Sequence, residues 1–417
     1  MGHGSSSVGL PTVEEFMISR RDFVAATGGL AAGLAWDCQR AWAQANARPP
    51  LRIKDARIKD NVVVEAEDGT QGSFPIVGQD PRASLAPHAA RIRELLVGRT
   101  AFDPALEGEM LWEAMYPGKA SLYAQGRDPL TGEAVANKPR GGRHTKTGAL
   151  FIGFSAVDIA IWDLRARLSK LPGYQVIGKA DRKQLLVYWR PGEPKLGLDD
   201  ARRRAREAFD RGYKHQKWYF RYSAEHGKQG LKDNIELVRV LREELGPEAK
   251  LMFDNHGIRY GDNVEYSVNL CKAVQPYHPF WIEEPICPEH VDGYARIKEE
   301  TGLPIAGGEH LYTRWPVKAF LERKCIDFVQ SDPIWCGGIS EWLRVCEMVK
   351  PYPGVKVVPH ITSPWVVAPH CVASQPKGLC PLLEFNYEGG RQSLESRMHR
   401  SAQGDMLLAM PDEPGVS

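Results

Sequence analysis

Eight short apolar runs, separated for the most part by stretches of helical periodicity, constrain this chain more than any other feature. They fall at 185–188, 216–220, 251–254, 280–283, 305–309, 328–332, 355–360 and 382–386. Between them, 200–209, 230–245 and 338–349 repeat apolar residues at the three- and four-residue steps of a helix with one buried face. Strands alternating with helices in this way predict an α/β chain whose eight strands close into a parallel (β/α) barrel. A doubly wound open sheet is the competing architecture. It would want a Gly-rich phosphate turn after its first strand, and the sequence has none there.

Ionisable residues sit where those runs stop. Asp254 ends the third, Glu283 and Glu284 the fourth, Glu309 the fifth, Asp332 the sixth and His360 the seventh, while Glu384 lies inside the eighth. The C-terminal strand ends of such a barrel converge on the active site, so these groups share one mouth. Any one of these carboxylates alone would read as a solvated loop residue or a helix cap. Several together repel one another unless a cation neutralises them, and oxygen ligands select a hard ion such as Mg²⁺ with positions left open for substrate.

The runs Trp281-Ile282-Glu283-Glu284-Pro285, Gly308-Glu309-His310, Gln330-Ser331-Asp332, Gly337-Gly338 and Pro359-His360 resemble the mandelate racemase subgroup of the enolase superfamily. Ala156-Val157-Asp158-Ile159-Ala160-Ile161-Trp162-Asp163 and Pro411-Asp412-Glu413-Pro414-Gly415 extend the likeness to most of the chain from residue 51. The resemblance implies a modified TIM barrel at 181–388, an α+β capping domain at 46–180, and a C-terminal segment at 389–417 that returns to the capping domain. It also implies Mg²⁺ held by Asp254, Glu283 and Glu309, proton abstraction α to a carboxylate, and a homo-oligomer.

The second run sharpens the branch. Where the subgroup often has Lys-x-Lys, this chain has Lys217-Trp218-Tyr219, so the second lysine base is replaced by Tyr219. Racemisation wants a proton acceptor on each face of the substrate, which leaves His360 as base, with Asp332 on the preceding strand to orient its imidazole. Asp254-Asn255-His256 places a second histidine two residues past a metal ligand, on the same face if the strand stays extended. That pattern is similar to D-galactonate dehydratase and related acid-sugar dehydratases, and implies His256 as the acid that protonates the departing hydroxide. Lys217 is expected on the substrate carboxylate or in a barrel-interior salt bridge; Glu384 matches the eighth-strand carboxylate of the family, with Glu388 as the alternative register, and His310 and Arg314 either bind substrate or only close the loop after the fifth run. His278, His290 and His370 stand in no constellation and read as structural.

The reading is therefore a sugar-acid dehydratase giving a 2-keto-3-deoxy acid. An epimerase or cycloisomerase using the same enediolate is the alternative, and a binding protein that has lost turnover is disfavoured by the paired histidines. The net charge of +2 gives no reason to expect a nucleic-acid partner. Eight scattered cysteines suggest neither a zinc site nor a disulfide framework. At the N-terminus, Ser19-Arg20-Arg21-Asp22-Phe23-Val24, an Ala/Gly stretch over 25–35 and Ala43-Gln44-Ala45 together resemble a twin-arginine export signal over 1–45, which predicts a periplasmic protein. That apolar stretch is too short to span a membrane, and no other stretch could cross one. Residues 51–77 alternate like antiparallel strands, 84–114 and 151–168 carry helical spacing, and 117–147 is a basic loop that could serve as a lid for an acidic substrate.

Overall fold

The computed structural model of the chain describes residues 51–107, 146–178, 182–191, 197–256, 263–288, 290–362, 365–386 and 396–416. The stretch 1–45 read as an export signal, most of the basic 117–147 segment and the alternative eighth-strand residue Glu388 lie outside these. No helix among the described residues is long and apolar enough to cross a membrane.

Strands β1 (Ile53–Ile58), β2 (Asn61–Ala66) and β3 (Gln71–Pro75) form the expected antiparallel meander, in the order β1-β2-β3. Asp68-Gly69 turns the chain between β2 and β3, with Asp68 Oδ1 accepting the Thr70 N–H at 2.9 Å. Alternation puts Val62, Val64 and Ala66 on the buried face, against the helix Lys146–Ser169. Gly72 permits the closest approach, because a Cβ there would stand 2.3 Å from Ala160 O. That helix is apolar nearly all round, which marks it as an interior element. Its buried Asp163 accepts the Ser73 N–H at 3.0 Å, Arg167 Nε at 2.8 Å and the Val416 N–H at 2.9 Å. One carboxylate thus ties the meander and the C-terminal segment to the helix between them.

The eight runs become β4 (Gln184–Arg190), β5 (His215–Tyr219), β6 (Lys250–Asp254), β7 (Trp281–Glu283), β8 (Ile305–Gly307), β9 (Phe328–Val329), β10 (Lys356–Val357) and β11 (Leu383–Asn386). They pair in parallel from β4 through β10, and β11 pairs with β4. Between β10 and β11 no ladder forms among the described residues; single hydrogen bonds such as Val357 N to Leu379 O, 2.9 Å, bridge that seam instead. Tyr188, Met252, Trp281, Ala306, Val358 and Leu382 fill the interior as a packed cluster, giving the site a dry floor. The C-terminal strand β13 (Met406–Ala409) lies antiparallel along the first half of β4, and β12 (Met398–Arg400) pairs with it.

The ladders of β8, β9 and β10 are shorter than the apolar runs. Gly308 has φ of +116°, which ends β8 two residues before Glu309. Asp332 and His360 likewise lie past the last paired residues of β9 and β10, although Gln330 N to Gly307 O at 2.7 Å and His360 N to Gln330 O at 3.1 Å carry the alignment onward. Glu309, Asp332 and His360 therefore stand on a collar of loops just above the barrel, while Lys217, Asp254, Glu283 and Glu384 stand on the strands themselves.

Candidate active site

The register sets the site. Tyr219 pairs with Asp254, and Asp254 with Glu283, so successive strands present their last side chains at one level. Lys217, Asp254, Glu283, Glu309, Asp332, His360 and Glu384 are all buried, and His256 stands at the rim. Every site residue expected from the sequence is thus brought into one mouth.

Lys217 is at its centre. Its Nζ is 2.5 Å from Glu283 Oε1, 3.3 Å from Asp254 Oδ2 and 3.6 Å from Glu384 Oε1. The barrel-interior salt bridge is the arrangement found. Burial alone would push the Lys217 pKa down, but the three carboxylates override it and hold the ammonium well above its usual range. Glu283 also accepts from Gln330 Nε2 at 2.7 Å and Trp281 Nε1 at 3.2 Å. Burial, reinforced by Asp254 and Glu309, nevertheless pushes its carboxyl well above the usual range against the pull of Lys217. At Asp254 burial is outweighed by His256 and Lys217, and at Glu384 by Lys217 and Arg190, so both carboxyls are held down.

His256 reaches the site by a different route from the one expected. The strand ends at Asp254, and His256 adopts φ of +46°, so the extended face-sharing geometry does not apply. Instead Asp254 Oδ1 accepts the His256 N–H at 2.8 Å, a local turn that folds the imidazole back until Nε2 is 3.7 Å from Asp254 Oδ2. The ring then stacks on Tyr219 at 4.8 Å.

The opposite wall carries the other histidine. His360 Nδ1 is 2.9 Å from Asp332 Oδ2, as expected, and its Nε2 is 3.7 Å from Glu309 Oε2. Asp332 is itself held by the Ile334 N–H at 2.7 Å and the Thr362 hydroxyl at 2.6 Å. With Nδ1 held by a fixed carboxylate, the imidazole keeps Nε2, on the Glu309 side, as its second donor or acceptor.

Several participants escaped the sequence reading. Arg190, two residues past the apolar run that marked β4, contacts Glu384 Oε1 at 2.6 Å and donates to the Tyr219 hydroxyl at 2.8 Å. Burial pushes the Tyr219 phenol up to about 12 against the opposing pull of Arg190 and Lys217, so it stays protonated at neutral pH. Glu284 Oε1 is 2.8 Å from His310 Nδ1, and Trp335 packs 4.7 Å from His360 and 5.7 Å from His310. Only the adjacency of Glu284 to Glu283 and of His310 to Glu309 signalled that pair. Arg314 closes the loop after β8 through Glu341 at 2.6 Å, and His370 accepts the Tyr174 N–H at 3.1 Å, a structural role as expected. His290 is structural too, capping the helix Val291–Thr301 through the Gly293 N–H.

Two groupings could hold a cation. Glu284, Glu309 and His310 each offer a ligand atom within 4.8 Å of the others, and they share only Glu309 with the expected trio. There His310 Nδ1 already holds Glu284 Oε1, while Glu284 Oε2 is buried without a hydrogen-bond partner. Around Asp254, Glu283, Glu309 and Glu384, four carboxyl groups meet the two fixed cations Lys217 and Arg190, and burial together with this excess of acids pushes the Glu283 carboxyl well above its usual range, a strain that a divalent ion bound there would relieve.

Residues 200–417 match the enolase C-terminal domain-like family. The chain is 30% identical over 305 residues to the L-rhamnonate dehydratase of Saccharopolyspora erythraea, covering 72% of this chain and 67% of that protein. The chain belongs to the enolase superfamily. Among solved structures, the Mg complex of rhamnonate dehydratase from Gibberella zeae superposes with a TM-score of 0.65 at 27% identity, over 85% of this chain and 78% of that one. The 3,6-anhydro-D-galactonate cycloisomerase of Zobellia galactanivorans gives a TM-score of 0.64 at 22% identity, over 88% and 94%. That second likeness bears on the fold alone, and both superpositions span the capping region and the barrel of this superfamily member.

Proposed function

We propose that this enolase superfamily chain is a Mg²⁺-dependent dehydratase of a sugar acid, producing a 2-keto-3-deoxy acid. The observation that carries the reading is the placement of two imidazoles on facing walls. His256 follows β6 and His360 follows β10, four strands apart in an eight-stranded barrel, with the carboxylates between them. One base and one acid on opposite faces of a bound substrate is what anti elimination of water needs. The relatives' names support the substrate class: the L-rhamnonate dehydratase shares 30% identity, and its counterpart from Gibberella zeae was solved with Mg.

The residues fit the metal by their chemistry: an all-oxygen set of Asp254, Glu283 and Glu309, in which burial and the neighbouring carboxylates push the Glu283 carboxyl well above its usual range. When bound there, Mg²⁺ supplies Lewis-acid stabilisation of the charge that develops on the substrate carboxylate. His360 Nε2 takes the proton α to that carboxylate while Asp332 fixes its tautomer. His256 delivers a proton to the departing β-hydroxyl. Lys217 holds the Asp254 and Glu384 carboxyls down and binds Glu283 into the same cluster. Tyr219 is neutral and hydrogen-bonded, so it does not replace the second lysine base, which weighs against racemisation.

The test is a panel of aldonates and aldarates, L-rhamnonate included, incubated with enzyme and Mg²⁺ in D₂O. A 2-keto-3-deoxy product from one member is the expected result. Deuterium entering C2 without loss of water would instead establish an epimerase or cycloisomerase.

A further inference from the structure

One face of the helix Lys146–Ser169 is turned toward the catalytic loops. Gly148, Phe151, Ser155, Asp158 and Trp162 follow at steps of three and four residues, which aligns them along a single stripe. At its start, Gly148 lies so close to the Tyr312 ring that a Cβ would stand 2.3 Å away. Further along, Ser155 Oγ accepts the Gly337 N–H at 3.0 Å. Asp158 Oδ2 accepts the Ser340 N–H at 3.0 Å, its Oδ1 accepts the Ser340 hydroxyl at 2.5 Å, and Trp162 Nε1 donates to Ser340 Oγ at 2.9 Å. All of these side chains are buried.

The helix Ile339–Val349 has Gly338 at its N-cap and therefore no capping side chain of its own. Asp158 supplies the cap from elsewhere in the chain, and its charge meets the positive end of the helix. Gly338, at φ of +101°, leaves the room: a Cβ there would be 2.4 Å from Asp158 Oδ2. The next residue, Glu341, then accepts both Arg314 N at 2.9 Å and Arg314 Nη1 at 2.6 Å, fixing the start of the helix Arg314–Glu322. Thr313 N donates to Cys336 O at 3.0 Å and joins the two loops. One of those loops carries Glu309 and His310; the other carries Asp332 and Trp335, which pack against His360.

We propose that Asp158 is a positioning residue for the reaction: it caps the helix after β9 and so holds the Asp332–His360 pair and, through Glu341 and Arg314, the Glu309 loop in working alignment. A residue that only joined two parts of the fold would change how much protein is folded, not the turnover of each folded molecule. The kinetic half of the test rests on the dehydratase reading; the exchange half does not.

The experiment compares Asp158→Ala and Asp158→Asn with the full-length enzyme. Asn keeps an acceptor for the Ser340 N–H. We expect Ala to lower kcat at least about tenfold with KM within about twofold, and Asn to recover to within about threefold of the parent. Amide hydrogen exchange, run without substrate, should quicken in Asp158→Ala at 335–341, 313–314 and 360–362 and stay unchanged at 251–254. If Ala does not fold, Ser155→Ala should show the same exchange pattern, centred on Gly337. A parental kcat in Asp158→Ala, a loss in Asn as large as in Ala, or unchanged exchange at 335–341 would each overturn the proposal. If no sugar acid is turned over by the parent, the exchange pattern alone decides.

Discussion

Lys217 and Glu283 form a fully buried ion pair at 2.5 Å, and the other charged groups within reach of the ammonium, Asp254 and Glu384, are again carboxylates. The lysine therefore acts as an internal counter-ion for a site built to take a second positive charge.

Replacing it isolates that role. Lys217→Met leaves Asp254, Glu283 and Glu384 facing one another without their shared partner, a loss of roughly 3–5 kcal/mol for a broken buried pair. Thermal unfolding without added metal should fall by several degrees. The stabilisation on adding Mg²⁺ should be larger in the variant than in the parent, since the ion then carries more of the compensation. Equal metal-induced shifts in the two proteins would mean that Lys217 and the ion do not share ligands.

Asp332→Asn changes little in shape but much in hydrogen bonding. The amide would donate to His360 Nδ1 where the carboxylate accepts, and would impose the wrong tautomer on the imidazole. A drop of about 10²–10⁴-fold in kcat is expected, with Mg²⁺ affinity unchanged by calorimetry. A variant that keeps parental kcat would remove Asp332 from the chemistry.

The acid limb of stability has an identifiable contributor in His370. Burial holds this imidazole down at about 4, against an ordinary value of 6.5. Between those values an unfolded chain takes up a proton that the folded chain refuses. Stability is thus complete above about pH 6.5 and declines as pH falls toward 4, by about 3 kcal/mol for this one group. His370→Asn keeps an acceptor for the Tyr174 N–H and should flatten that decline in urea midpoints measured from pH 7 to pH 4. An unchanged slope would exclude His370 as its source.

Beside the meander, Arg165 donates to Ala101 O at 2.6 Å and pairs with Glu107 at 3.3 Å, with its guanidinium 4.4 Å from the Trp162 ring. Burial raises the Glu107 carboxyl despite that partner. Arg165→Met should cost roughly 3–5 kcal/mol, and adding Glu107→Gln should return part of it. If the double variant is no more stable than the single one, the cost lies in the Ala101 contact rather than in the stranded charge.

The fold was legible because eight apolar runs are separated for the most part by helical periods and because the meander at 51–77 alternates cleanly. The gathering of Asp254, Glu283 and Glu309 at one mouth and the His360–Asp332 contact were legible because each of these residues closes an apolar run. Ladder lengths were not: the positive φ of Gly308 and the loop courses past β9 and β10 depend on tertiary hydrogen bonds that apolarity does not encode. The turn at His256 was hidden for the same kind of reason, since an Asp two residues earlier captures its N–H. Arg190 and Trp335 have no periodic signature at all, and Glu284, which closes the fourth run, gave no sign of its pairing with His310. Their roles arise from which neighbours the barrel sets beside them.

In the proposed dehydration His360 removes the substrate's α-proton. The most direct measurement of that step is the rate of 2-keto-3-deoxy acid formation by the parent and by His360→Asn, at saturating Mg²⁺ and with the sugar acid that the panel identifies. The account predicts a loss of at least about 10³-fold in the variant, with fold and metal affinity retained. Keto acid formed by the variant at the parental rate would contradict it, and would move the base to another wall of the barrel.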